Sequence, residues 1–293
     1  MTPDVLTSPV EPANRQRLDR WSAQLLRLSS LLLVTTVWIS AALFGLYILA
    51  YYASALYQGD MARWNQVLPR LYEQTTTAAT TGIGLHFAAG GIILILGSIQ
   101  LVDSVRTRFP AVHRWVGRVY VVACVIAALG GLAFILMKGT IGGSAMNVGF
   151  ALYGLLMLVA SVATYRYAVL GDMVRHRAWA LRLYALAIGS WLYRIEYGFW
   201  VMLTDGLGHT KTFDGWFDRF MAFFFYLPNL LVVEVFVRAS HRRAAPIARI
   251  AGSLVLLAAT TFLIVGTYYF TLYYWGPAIS NWITGAPQGR LGQ

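Results

Sequence analysis

Charge is what this chain has least of: only 12% of its 293 residues are Asp, Glu, Lys or Arg, while 58% are hydrophobic and the mean hydropathy is +0.60. Soluble domains carry about 25% charged residues, so a globule surrounded by water is excluded as the main form. Cysteine is nearly absent as well. Cys124 stands alone, which excludes an intrachain disulfide. Short segments of alternating polar and apolar residues, the mark of a membrane β-barrel, do not occur. No phosphate-binding glycine loop, nucleophile elbow or zinc-spaced His-Glu pattern is present.

What the chain has in excess is uncharged length. Residues 28–59, 74–102, 119–137, 139–165 and 250–289 contain no Asp, Glu, Lys or Arg. Crossing the hydrocarbon as a helix takes about 20 apolar residues, and backbone groups in lipid must bond within their own segment. These runs predict seven spans near 27–55, 79–102, 111–137, 145–169, 174–204, 219–239 and 247–275. The first run is too long for the apolar core of a signal peptide and follows a polar tail, so it reads as a retained span.

The basic residues test that count. Sixteen of the 23 fall on one side of the spans, at Arg15, Arg17, Arg20, Arg27, Arg106, Arg108, Arg114, Arg118, Arg166, Arg175, Arg177, Arg182, Arg238, Arg242, Arg243 and Arg249. Only Arg63, Arg70, Lys138, Lys211, Arg219 and Arg290 fall on the other. Cytoplasmic loops hold the excess of Lys and Arg, so the N-terminus is expected inside and the C-terminus outside. The net charge of +11 is then a topology signal and an attraction to anionic headgroups, not a sign of nucleic acid. Tyr47, Tyr51, Tyr52 and Tyr57 close the first span, and Tyr268, Tyr269, Tyr273, Tyr274 and Trp275 close the last. Such rings favour the membrane–water boundary. Between them, residues 61–74 set Trp64, Leu68, Leu71 and Tyr72 among Arg63, Arg70 and Glu73, a pattern that fits either a surface helix or a loop.

Two stretches repeat without a gap at an offset of 63. His86 to Arg114 aligns with Gly149 to Arg177, matching Phe87 with Phe150, Gly91 with Gly154, Ser98 with Ser161, His113 with His176 and Arg114 with Arg177. Each copy descends, turns through a basic loop and re-enters. Asp172 is a good N-cap for the second re-entry, and Pro110 fits the first helical position of the first. Gly84, Gly90, Gly91, Gly97, Gly130 and Gly131 are small enough for close helix approach. Spans two to five therefore read as a duplicated four-helix core of two parallel-repeat hairpins.

Ionisable groups within spans are costly and face the protein interior. The cytoplasmic cluster comprises His113, Arg114, Arg118, His176, Arg177 and Arg182. Two neutral imidazoles on facing helices can ligate a haem iron, with Arg114 and Arg177 pairing with the propionates; the same residues also suit a boundary that snorkels to headgroups. The outer cluster comprises His86, Arg194 and Glu196. Arg194 and Glu196, two apart, face different directions, and the group reads either as ion pairs locking helices or as a substrate site. Glu234 has Arg238 one turn along the same helix as its simplest partner. Asp205, His209, Asp214 and Asp218 form an acidic outer loop that reads as solvated or as a metal site. His241 belongs to a charged inner loop.

The run from His113 to Tyr120 (HRWVGRVY), with Leu85 and His86 upstream and His176 to Trp179 (HRAW) and Arg194 downstream, resembles the bacterial membrane-protein family catalogued as domain of unknown function 2306. The resemblance covers about residues 80 to 200. It implies a multi-spanning bacterial inner-membrane protein with no assigned biochemical role, and it carries over His86, His113, His176 and Arg194. Ala178 departs from the pattern, where a bulkier residue is expected. The layout is also similar to di-haem cytochromes of the b561 type, although the outer His86 has Gly149 as its repeat mate, which cannot ligate.

The expectation is an all-α integral membrane protein in four parts: a cytoplasmic tail (1–26), the first span and outer loop (27–78), the duplicated core (79–204), and a final part (205–293) holding an outer loop, two spans and a short outer tail. Its expected activity is haem b-dependent redox exchange with quinone, using His113 and His176 as iron ligands and His86 with Arg194 at an outer quinol or second site. Two rivals stand beside it. One is a transporter in which Arg194 binds an anion or Glu196 relays protons, with His86 and Glu234 lining the cavity. The other is an accessory subunit that holds a membrane-protein partner and no small ligand. No residue is assigned as catalytic.

Overall fold

The computed structural model describes residues 13–66, 70–240 and 244–284, and every regular element among them is helical. Leu68, His241, Arg242, Arg243 and Arg290 lie outside the described residues. α1 (Ala13–Ile48) runs through a π-helical turn at Leu49–Ala53 into α2 (Ser54–Tyr57) and a 3-10 turn at Met61–Gln66. α3 (Thr77–Gln100), the short α4 (Asp103–Arg108), α5 (Pro110–Met137) and α6 (Gly143–Val169) follow, then α7 (Met173–Ala187) and α8 (Gly189–Thr204). The chain ends with α9 (Trp216–Phe224), α10 (Leu227–Ala239), α11 (Pro246–Phe270), a second π-helical turn at Thr271–Trp275 and α12 (Gly276–Thr284).

Six segments among the described residues are long and apolar enough to cross a membrane: Asn14–Tyr57, Thr77–Gln100, Pro110–Met137, Gly143–Val169, Trp216–Ala239 and Pro246–Thr284. Their outer surfaces carry large apolar side chains such as Leu85, Val122, Leu129, Leu155, Val162 and Leu254, all exposed. Helices apolar on all sides require a non-aqueous surround, and a bilayer supplies it.

The expected span at 174–204 forms two helices, α7 and α8, of 15 and 16 residues, each short of the roughly 20 a crossing needs. The break falls at Ile188, just before the Gly189-Ser190 pair, the kind of step at which helices kink. Close packing explains the glycine, since a Cβ at position 189 meets the Tyr153 ring at 3.3 Å. The Leu186 carbonyl near the break accepts the Tyr153 hydroxyl at 2.5 Å, so the interruption leaves that acceptor paired.

α3 packs along α5, α6 along α7, and α1 along α11; α5 and α6 join the two hairpins, and α10 lies on α7 and α11. Pro110 opens α5, where a missing N–H costs nothing. Asp172 caps α7 by accepting the Arg175 N–H at 3.0 Å, as its residue type predicts. Of the glycines expected at helix contacts, Gly97 and Gly130 serve: a Cβ on Gly97 falls 3.0 Å from the Tyr120 and Tyr184 rings, and one on Gly130 falls 2.6 Å from the Gly82 carbonyl oxygen. Gly90 and Gly91 face open space, while Gly82 supplies the other half of the contact.

The described connections at 58–66, 70–76, 138–142 and 205–215 lie at one end of the bundle, the loop face, where Lys138 reaches Glu73 and Gly142 lies against Phe213. The 61–66 turn is neither a surface helix nor a free loop. Arg63 and Trp64 are buried, and they bond the Tyr51 carbonyl (3.3 Å), the Ser54 hydroxyl (2.7 Å) and the Tyr52 carbonyl (3.1 Å). A π-helical turn disturbs the i→i−4 ladder, and these two side chains bond carbonyls within it, Trp64 that of Tyr52 and Arg63 that of Tyr51, which also takes the Ser54 N–H. Lys138, its side chain only 4% exposed, pairs with Glu73 at 3.2 Å. That hydrogen bond first, and the one from Arg70 second, hold Glu73 below its ordinary 4.5. A carboxylate depressed in the folded state adds stability above its ordinary value and loses it as pH falls through the folded-state value. Lys138→Met is therefore expected to lower the melting temperature at neutral pH, with the deficit shrinking well below pH 4.5. Melts of both proteins across that range check this, and a deficit independent of pH contradicts it.

At the opposite end, the arginine face, Arg249 of α11 reaches Asp19 of α1 at 3.0 Å. Glu234 of α10 takes Arg182 of α7 at 2.9 Å, with Arg238 at 3.6 Å. The expected Glu234–Arg238 pair forms, but the shorter bond is the one that ties α10 to α7.

Candidate functional site

Toward the loop face, α1, α3 and α8 surround the Arg194 guanidinium. It lies 5.1 Å from the centre of the Phe44 ring and donates to the Ser190 carbonyl at 2.9 Å. It makes no salt bridge among the described residues. The Tyr47 and Tyr52 hydroxyls and the His86 imidazole all lie within its field. Tyr52 sits against Phe87 at 4.9 Å and Trp64 at 5.8 Å. Trp275, from the second π-helical turn, packs on Phe44 at 5.6 Å. Both π-helical turns thus place aromatic rings around this arginine.

The donors here outnumber the acceptors. The Tyr52 hydroxyl and the Trp191 indole N–H are buried with no hydrogen-bond partner; Tyr52 lies beside Arg194, whose own N–H groups cannot accept. Trp191 is one turn before Arg194 on the same face of α8. His86 donates Nδ1–H to the Ala127 carbonyl at 2.8 Å, and a carbonyl can only accept, so a neutral ring keeps its lone pair on Nε2. An unpaired buried donor costs about 1–3 kcal/mol. Several of them around a cation without a carboxylate call for an acceptor.

Glu196 does not join this group. Two residues along α8, it faces Tyr193, and its Oε2 is buried without a partner. Further toward the loop face, Asp218 of α9 is fully buried. Its Oδ1 accepts the Tyr197 hydroxyl and His209 Nδ1–H, both at 2.6 Å; its Oδ2 accepts the backbone N–H groups of Thr210 and Gly215, both at 3.0 Å. The bond from Gly215 is half of a capping box, since glycine has no side chain to supply the other half. The solvated-loop reading therefore fails at Asp218 and holds at Asp205 and Asp214, both of which are exposed. Asp214 accepts the Thr210 and Thr212 hydroxyls, which hold its carboxyl below the ordinary range. Among the described residues, no three His, Cys, Asp or Glu side chains converge as a metal site.

On the arginine face, His113 and His176 are each the fourth residue of their helices, α5 and α7, and each bonds back to the preceding helix of its hairpin. His176 donates Nδ1–H to the Thr164 carbonyl at 3.0 Å. The Gln100 amide fits with its oxygen accepting the Gly117 N–H at 3.1 Å and its NH2 donating to His113 Nδ1 at 3.0 Å. The two histidines interact electrostatically. Arg114 and Arg177 are exposed. Arg118 stacks on Trp115 at 5.3 Å and Arg182 on Trp179 at 5.2 Å, one Trp-Arg spacing used in both hairpins.

His86 and Arg194 thus share a cluster, Glu196 stands on another face, and Glu234 is held by arginines at the far end. Sequence reasoning missed Phe44, Tyr52, Trp191 and Gln100 as parts of these sites. The clustered tyrosines at 47, 51 and 52 were the available signal, and they read equally well as boundary anchors.

No curated protein and no solved structure matches the chain. A family model described as "Predicted membrane protein (DUF2306)" matches residues 83–237, from the second turn of α3 to near the end of α10. That stretch is more than half of the chain and contains His86, His113, His176, Arg194, Glu196 and Asp218; this multi-pass membrane protein belongs to that family.

Proposed function

We propose that this is a seven-crossing protein of the bacterial inner membrane that binds a planar, carbonyl-bearing lipophilic ligand, a quinone head group, beside Arg194. In this reading α7 and α8 make one interrupted fifth crossing, and the arginine face is cytoplasmic because most of the basic residues gather there. The hairpins α3–α5 and α6–α8 form the duplicated core. Support for the duplication comes from His113 and His176 at equal helix positions, each bonded through Nδ1 to the preceding helix of its hairpin, His176 as donor and His113 as acceptor. The departure at Gly149 has a local cause, since a Cβ there collides with the Ala222 backbone of α9.

One observation carries the ligand assignment: the unpaired donor of Tyr52 lies beside a guanidinium with no carboxylate, with that of Trp191 one helical turn away, within aromatic walls. A quinone offers two carbonyl acceptors and a ring face for stacking, and its lipid solubility suits this depth. Quenching of intrinsic fluorescence by a short-chain benzoquinone in detergent tests the assignment. Saturable quenching is expected, and a purely linear, collisional response contradicts it.

A second reading concerns haem between His113 and His176. The donation from His176 to Thr164 leaves Nε2 free to ligate iron, which fits. His113 fits only when the Gln100 amide turns, because accepting at Nδ1 places the proton on Nε2. Haem, when bound, would supply one-electron chemistry there, with Arg114 and Arg177 as propionate partners. An absorption spectrum after growth with excess haem precursor decides. A Soret band that disappears in His176→Ala supports this reading, and its absence from the wild-type protein rejects it.

A further inference from the structure

We propose that His209, Asp218, Tyr197 and Tyr193 form a proton path from the loop face to the buried carboxyl group of Glu196. The path starts at an imidazole whose side chain is 26% exposed and passes at once to a carboxylate with no exposure. Asp218 Oδ1 holds both the His209 Nδ1–H and the Tyr197 hydroxyl at 2.6 Å. Behind it, the Tyr197 and Tyr193 rings lie 4.7 Å apart, one helical turn from each other. Their hydroxyls are neighbours, and Glu196 follows Tyr193 one turn along the same helix.

Stability alone does not account for this row. Capping α9 needs only Asp218 Oδ2, which takes the Thr210 and Gly215 N–H groups. The Tyr193 hydroxyl and Glu196 Oε2 are buried without partners, and buried polar atoms are seldom left so. An unpartnered carboxylate oxygen one helical turn from an unpartnered hydroxyl is a place where a proton completes the bonding. Phe150, Phe213, Phe217 and Phe225 pack on the two tyrosines and give the row apolar walls. The charged and titratable groups around Tyr193 are Tyr197, Arg194 and Glu196 on its own helix and Asp218 across from it, with His209 beyond Asp218.

In the transfer, a proton from water binds His209 Nε2 and the Nδ1 proton moves to Asp218. The Tyr197 hydroxyl, which donates to Asp218 at rest, first turns toward Tyr193; Asp218 then passes the proton to the Tyr197 oxygen, Tyr197 releases its own proton to Tyr193, and Tyr193 releases its own to the Glu196 carboxylate. Each hydroxyl gains one proton and gives one, and rotation about its C–O bond resets it.

The test is infrared spectroscopy of the purified full-length protein during transfer into D2O. The carbonyl stretch of protonated Glu196 is assigned by its loss in Glu196→Gln. Tyr197→Phe and Tyr193→Phe keep the rings and remove only the hydroxyls, so both are expected to fold. Each should slow deuterium exchange of that band by roughly tenfold or more, the scale on which a positioned proton carrier matters. Two outcomes overturn the proposal: no band lost in Glu196→Gln, or exchange as fast in both Phe variants as in wild type. Quinone binding beside Arg194 is read separately, so either proposal can fail alone.

Discussion

Asp218→Ala is expected to lower the unfolding free energy of the detergent-solubilised protein by about 3–5 kcal/mol, the range for stripping one partner from a buried charged network. The substitution leaves the Tyr197 hydroxyl, His209 Nδ1–H and the Thr210 and Gly215 N–H groups without their acceptor. Asp218→Asn keeps one acceptor oxygen, so a smaller loss is expected. Denaturant unfolding followed by tryptophan fluorescence measures both, and Trp200, stacked on Phe217 at 4.4 Å, reports on this region. Wild-type stability in Asp218→Ala would show that the loop is solvated after all.

Arg194→Met is expected to weaken short-chain benzoquinone binding by roughly 10- to 100-fold. A hydrogen bond from a charged donor contributes about 1.5–3 kcal/mol, and each 1.4 kcal/mol is about tenfold in affinity. Arg194→Lys should fall between, because an ammonium keeps the charge but loses the planar fork that stacks on Phe44. Arg114→Met, exposed on the arginine face, should bind as wild type does. Dissociation constants from quenching titrations of the three variants check the series. Equal weakening by Arg194→Met and Arg114→Met would point to a general electrostatic effect.

The features legible in the sequence are those fixed by local chemistry. Residues 119–137 and 139–165 hold no charge, and hydrocarbon solvation alone makes them helices. Asp172 and Pro110 mark helix starts because capping depends on neighbours within one turn. The opposed directions of Arg194 and Glu196 follow from helical spacing. The rest depends on contacts between distant segments. Asp218 looks like a loop residue until Tyr197, 21 positions earlier, reaches it. Glu234 has Arg238 nearby in sequence, yet Arg182, 52 positions away, lies closer in space. The π-helical turns leave no periodic trace, and the bonds from Arg63 and Trp64 to the Tyr51 and Tyr52 carbonyls of the first become visible only in the structure. The Gly189-Ser190 pair is a faint sequence mark of the interruption between α7 and α8, which becomes plain only where Tyr153 captures the Leu186 carbonyl.

The most direct test of the Arg194 site is photoaffinity labelling with an azido-quinone, followed by mass spectrometry of the labelled peptides. Adducts on the peptides that carry Phe44, Tyr52 or Trp191, competed away by unlabelled quinone and lost in Arg194→Met, are the predicted result. Labelling confined to the lipid-facing residues of other helices, or undiminished in that variant, would contradict the assignment.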